Sequence, residues 1–127
     1  MNERLKISRV SELSGLSEHT LRYYEKIGLI DPVKRAEDRH RYYTENDISW
    51  IEFLNRLRIT GMSISRMKTF ADLRRKGNHT AGQRRVMLEE FKAELNERLN
   101  DLNKHLKAIE QKIGHYKELE RKHIKKE

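Results

Sequence analysis

The 127-residue chain is 38% charged, 35% hydrophobic and free of cysteine, which excludes disulfides, thiolate metal sites and zinc fingers. Its net charge of +8 favours a polyanionic partner. No run approaches the roughly 20 apolar residues of a bilayer span, and MNERLKISRV holds no signal-peptide core, so a cytoplasmic protein without a membrane partner is expected.

The length suits one small domain plus an extension, and so many charged residues leave little apolar material for a large monomeric core. The basic excess is local. Residues 1–45 are nearly balanced, whereas residues 54–76 hold seven Lys/Arg against one Asp/Glu.

Near the N-terminus, Val10 and Leu13 stand three apart, with Ser8 as a candidate cap and Gly15 as a stop; this predicts a short helix. Ser17 caps a second, in which Leu21, Tyr24 and Ile27 share a face until Gly28. Two short helices about a Gly-Leu-Ser turn have the form of a helix-turn-helix, whose second helix enters the DNA major groove.

In that second helix, SEHTLRYYEKIG, the side chains of His19, Thr20, Arg22 and Tyr23 lie off the apolar face and are candidates for DNA contact. Arg22 is the best base reader, because a guanidinium can bond guanine in bidentate fashion. The alternative is that Arg22 is a surface arginine and the tyrosines are packing residues.

The stretch LIDPVKRAEDRHRYYT, with Pro32 early, a polar tip at Lys34–Arg39 and a β-prone return at Arg41-Tyr42-Tyr43, predicts a small hairpin. Arg39, His40, Arg41 and Tyr42 would let such a wing grip a phosphate backbone; the alternative is a solvated turn.

Thr44 and Asp47 form a capping-box pattern before Ile48, Ile51, Leu54 and Leu57, which predicts a third helix over about 44–60, ended by Gly61. Ser63 caps a short basic fourth helix with Ile64, Met67, Phe70 and Ala71 on one face, broken at Gly77-Asn78. The basic 54–76 block suggests phosphate contacts, with Arg58 the leading candidate, against the alternative that its cations are only solvated.

From Thr80 to His123, Leu95, Leu99, Leu102, Leu106, Ile109, Ile113 and Tyr116 recur at alternating steps of four and three, a heptad seam. A long helix with so narrow a stripe needs a partner along it, and a second copy of the chain is the simplest. The fold expected is mainly α: a winged helix-turn-helix domain of four helices and a β-hairpin over residues 1–77, then a coiled-coil dimerisation helix over 78–127.

The segments ISRVSELSGLSEHTLRYYEKIGLIDP and HRYYTENDISWIEFLNRLRITGMSI, followed by the terminal heptad helix, resemble the MerR family of bacterial transcription regulators along essentially the whole chain. The resemblance implies that His19, Thr20, Arg22 and Tyr23 belong to a recognition helix and Arg39, His40, Arg41 and Tyr42 to a wing. It also implies an antiparallel coiled coil joining two subunits on a pseudo-palindromic promoter operator, whose spacer they distort so that RNA polymerase engages both promoter elements.

The chain departs from the family pattern in two places. Arg39 and His40 stand where relatives commonly carry glycine and an aromatic. Arg56 stands where an aldehyde- or electrophile-responsive branch has its cysteine, so thiol sensing is excluded, as is metal sensing through cysteines.

His105 and His115 lie about 15 Å apart along one helix and cannot share an ion, so neither a metal nor another cofactor is expected. Too few residues follow Asn78 for a separate effector domain, and no effector is implied. No nucleophile elbow, phosphate loop or zinc-ligand spacing marks an enzyme. A DNA-architectural protein on the same winged fold is a further alternative, against which the heptad seam argues.

Overall fold

Local hydrogen bonding fixes most helix starts in the computed structural model, which describes residues 5–32 and 42–126. In chain order the elements are strand β1 (Leu5–Lys6), helices α1 (Ile7–Ser14) and α2 (Glu18–Lys26), strand β2 (Tyr42–Tyr43), and helices α3 (Glu45–Ile59) and α4 (Ile64–Lys76). A 3-10 turn over Asn78–Thr80 then leads into α5 (Ala81–Lys126). The arrangement is the mainly α winged helix-turn-helix with a long terminal helix that the sequence predicts.

Three side-chain caps set helix starts. The Ser17 hydroxyl accepts from Thr20 N at 3.0 Å, and the Ser63 hydroxyl from Arg66 N at 3.2 Å. At α3 both halves of the capping box form: Asp47 N donates to Thr44 Oγ1 at 3.2 Å, and Thr44 N donates to Asp47 Oδ2 at 2.9 Å.

The start of α1 differs from expectation. Its cap is Lys6, which makes no side-chain capping bond, and Ser8 lies inside the helix. Pairing of β1 takes over the role, because the strand fixes the extended backbone from which α1 begins. The helix ends at Gly15, whose φ of 76° is left-handed backbone that glycine adopts without a Cβ penalty.

Core positions on α1 also differ. Val10 is buried but Leu13 is exposed, and Ser14 takes the second buried place. The Ser14 hydroxyl accepts from Leu16 N at 3.2 Å, and Ser11 Oγ donates to Leu16 O at 2.6 Å, so the turn between α1 and α2 is tied to α1.

The two-stranded sheet is antiparallel, with Leu5 opposite Tyr43 and Lys6 opposite Tyr42. The sequence pattern predicts the Tyr42–Tyr43 return but not its partner β1. The hairpin tip and Arg41 lie outside the described residues.

Helix α3 organises the head. Ile51, Leu54 and Leu57 are buried as the spacing predicts, while Trp50, not Ile48, is the further buried position. Trp50 stacks on Phe70 of α4 with ring centroids 6.0 Å apart and planes 14° apart, and Phe53 adds a tilted contact to the same ring at 5.7 Å.

The chain separates into two compact units, Met1–Met87 and Leu88–Glu127. In the second, α5 carries Leu95 half-buried and Leu99, Leu102, Leu106, Ile109, Ile113 and Tyr116 between 49% and 64% exposed. No helix among the described residues is long and apolar enough to cross a membrane.

Candidate nucleic-acid interface

Helix α2 turns two faces in opposite directions. Leu21 and Tyr24 pack inward, and Leu21 is completely buried. His19, Arg22 and Tyr23 are exposed, Thr20 is half-buried, and Lys26 continues the outer face one turn beyond Arg22. Positions 19, 22, 23 and 26 follow the three-and-four spacing of one helix face, so the outer surface of α2 is cationic and aromatic along its length.

The head positions this helix from both sides. Before α2, Asn55 Nδ2 of α3 donates to Ser14 O at 3.2 Å. After α2, Trp50 Nε1 donates to Leu29 O at 2.8 Å, while Leu29 N and Ile30 N donate back to Tyr24 O at 2.9 and 3.2 Å. One helix thus grips the chain on each side of α2, which holds its outer face at a fixed orientation.

His19, Thr20 and Tyr23 meet Arg58 of α3 around a cleft that Tyr24 and Ile64 complete. A neighbouring groove joins His19, Arg22, Tyr23 and Lys26. Spacing alone could have singled out Lys26, four residues after Arg22 on the same face. Nothing in the sequence pattern brings Tyr24 and Ile64 to the cleft, since both carry the apolar signature of core positions.

Electrostatics differ between the two depressions. Arg22 ion-pairs with Glu18 at 3.4 Å, and both groups are largely solvated. Such an exposed pair contributes less than about 1 kcal/mol, so the guanidinium can exchange this carboxylate for a base edge or phosphate. The Thr20 hydroxyl accepts from Ser17 Oγ at 2.9 Å and keeps acceptor and donor capacity for a water or phosphate. In the Arg58 cleft, burial pushes the Tyr24 phenol above its ordinary value of 10.0, against the opposing pull of the Arg58 charge.

Of the residues assigned to the wing, Tyr42 lies in β2 and is half-buried; Arg39, His40 and Arg41 lie outside the described residues. The basic 54–76 block is divided between uses. Arg56 and Arg58 are exposed on α3. The Arg74 guanidinium lies 4.3 Å from the centre of the Trp50 ring, and Arg75 bonds Asp31 and Asp72. Arg74 and Arg75 are therefore engaged within the head.

His105 and His115 are both exposed on α5. Among the described residues no three His, Asp or Glu side chains come together as a metal site would require.

The family model described as MerR HTH family regulatory protein matches residues 5–73. The HTH-type transcriptional regulator AdhR of Bacillus subtilis is 40% identical over 91 residues, 72% of this chain, and that stretch spans 65% of its own length. A putative MerR family transcriptional regulator from Listeria monocytogenes superposes with a TM-score of 0.82 at 38% identity, over 88% of this chain and 85% of its own. HiNmlR, a MerR family regulator lacking the sensor domain and bound to promoter DNA in its crystal structure, superposes with a TM-score of 0.81 at 30% identity. That superposition covers 91% of this chain and 92% of HiNmlR.

Proposed function

The chain belongs to the MerR family of helix-turn-helix transcriptional regulators, and from that premise we propose that it binds a pseudo-palindromic promoter operator as a homodimer. It acts by binding rather than by catalysis, on DNA of the cytoplasmic nucleoid. Residues 1–77 read the DNA and residues 78–127 join the two copies.

The observation that carries this proposal is the outward face of α2, where His19, Arg22 and Tyr23 stand exposed on a helix held at both ends by α3. Arg22 reads a base edge, while His19, Thr20, Tyr23 and Arg58 contact backbone phosphates from the cleft they share. Arg39, His40, Arg41 and Tyr42 add contacts from the wing.

The exposed seam from Leu95 to Tyr116 supports the homodimer, because a solvated helix with an apolar stripe is at its most stable against a matching stripe. A two-fold dimer matches an inverted repeat. Holding two recognition helices at a set separation lets the dimer bend or untwist the promoter spacer at a cost of about 1–6 kcal/mol, so that RNA polymerase meets both promoter elements. Any signal reaches the dimer without a thiol, since the chain has no cysteine.

Footprinting across the chain's own upstream region tests the proposal. Protection of one inverted repeat is the expected result. Coating of many sites with little preference would indicate an architectural protein instead.

A further inference from the structure

We propose that Arg75 is a positioning residue for operator recognition, a fork on α4 that fixes the turn closing the recognition helix and makes no phosphate contact of its own. This rests on the proposal that the chain is a DNA-binding regulator.

The turn concerned is Gly28–Asp31, which runs directly from the end of α2 towards the residues assigned to the wing. Arg75 reaches it with two nitrogens. Its Nε donates to Asp31 Oδ1 at 2.5 Å, and one terminal nitrogen donates to Gly28 O. The other terminal nitrogen donates to Asp72 Oδ1 at 3.0 Å, one turn earlier on α4, which orients the guanidinium plane.

Between the two anchored residues, Leu29 O accepts from Trp50 Nε1, and Arg74 lies over the same Trp50 ring. Neighbouring arginines of α4 thus act on one short turn: Arg75 directly, Arg74 through the indole. The turn in turn bonds back to α2 at Tyr24 O. A shift of this turn would move the C-terminal end of α2, where Lys26 belongs to the outward groove.

Arg75 is 37% exposed and Asp31 51% exposed on their side chains. An ion pair this solvated adds little to global stability. What the fork supplies is geometry, because planar bidentate donation fixes direction as a point charge does not. With three of its five N–H groups donating inside the head, the guanidinium has its plane set by the fold rather than by DNA.

The test uses the full chain, a fragment carrying the site that wild type protects, and a scrambled duplex. Arg75→Ala, Arg75→Lys and Asp31→Ala are titrated against both DNAs over a range of salt, alongside thermal melts. For a positioning fork, all three variants stay folded at the assay temperature and bind the specific site about three- to tenfold more weakly. The slope of log K against log salt stays at the wild-type value, and scrambled-duplex binding changes least.

Lysine does not substitute, although it keeps the charge. Asp31→Ala is the sharpest arm: removing a negative charge beside DNA tightens binding by electrostatics alone, whereas loss of the acceptor that anchors the fork weakens it. The proposal is overturned if Asp31→Ala binds as tightly as wild type or tighter. It is equally overturned if Arg75→Lys matches wild type while Arg75→Ala lowers the salt slope by about 0.9, as the loss of one phosphate contact requires. Failure of the wild-type chain to prefer any site overturns the regulator proposal itself, and is seen before any variant is compared.

Discussion

Replacing Tyr24 with phenylalanine should make the free protein more stable and the DNA complex weaker. Tyr24 is 2% exposed, and its hydroxyl is buried without a hydrogen-bond partner among the described residues. A buried unpaired polar group costs about 1–3 kcal/mol. The cleft beside it lets the structure relax, so a gain of about 1 kcal/mol is expected for Tyr24→Phe at pH 7. The phenol also titrates higher in the folded chain than its ordinary value of 10.0, chiefly through burial. Well below pH 10 both states hold the proton and stability is insensitive to it. Above pH 10 the unfolded chain releases the proton first, so wild-type stability falls as pH rises through the folded value, and the phenylalanine variant escapes that part of the loss. Urea unfolding of both proteins at one protein concentration, at pH 7 and between pH 10 and 11, measures the difference and its growth. The operator arm follows from position: Tyr24 lines the cleft with Arg58 and His19, and a phosphate drawn into that cleft that reached the buried hydroxyl would give it a partner, so affinity for the protected site should fall by about 1 kcal/mol. A Tyr24→Phe protein that is less stable than wild type at pH 7 refutes the reasoning, because the hydroxyl would then be bonded.

Arg22→Ala should weaken operator binding by about 1–3 kcal/mol, the range for a lost base contact, with an unchanged melting curve; a wild-type footprint would remove Arg22 from base reading. Leu102→Asp should convert the proposed dimer to monomer in sedimentation, since the side chain is exposed in the single chain and would put a charge in the proposed seam; a persisting dimer would place the interface elsewhere. Thr80→Val should destabilise the head by about 1–3 kcal/mol in denaturant titrations. The buried Thr80 hydroxyl lies 2.6 Å from Leu73 O and 2.8 Å from Gly77 O and accepts from Arg84 Nε, so valine leaves the end of α4 without that partner. A loss under 0.5 kcal/mol, the ordinary scale of a surface change, would show that those carbonyls find other donors.

Three of the four predicted helix caps are legible in the sequence because a cap is a contact between residues three apart: Ser17, Ser63 and Thr44 with Asp47 all stand where their spacing puts them, and only Ser8 does not. The face of α3 was legible except at Trp50, because a strict step of three through Ile48 drifts off a 3.6-residue turn and passes over the residue that packs on Phe70. Leu13 misled for a related reason. On an eight-residue helix two apolar residues do not define a face, and the buried place went to Ser14, whose hydroxyl finds its partner in the next turn. Strand β1 was invisible because two residues carry no period, and its pairing spans the distance from Leu5 to Tyr43. On the candidate site, spacing identified the outward residues of α2 but not the cleft that gathers His19 and Arg58, which depends on how α3 packs.

The division of the basic residues bears on why the chain should need two copies. Residues 54–76 read as a phosphate-binding block in the sequence, yet Arg74 covers Trp50 and Arg75 anchors the turn after α2. On the described surface of α2 and α3, the outward candidates reduce to a short cationic and aromatic face, and Arg22 must give up Glu18 to use its charge there. Each phosphate contact steepens the salt dependence by about 0.9, so a head with few of them binds weakly at physiological salt. Joining two such heads makes the second binding event intramolecular and raises affinity by about 100- to 10,000-fold without any new contact, provided both sites are spanned together. In the proposed dimer the exposed heptad stripe of α5 would be the means of joining them. A modest outward face on α2 and an uncovered apolar seam on α5 are therefore the two features that the proposed dimer would bring into use together.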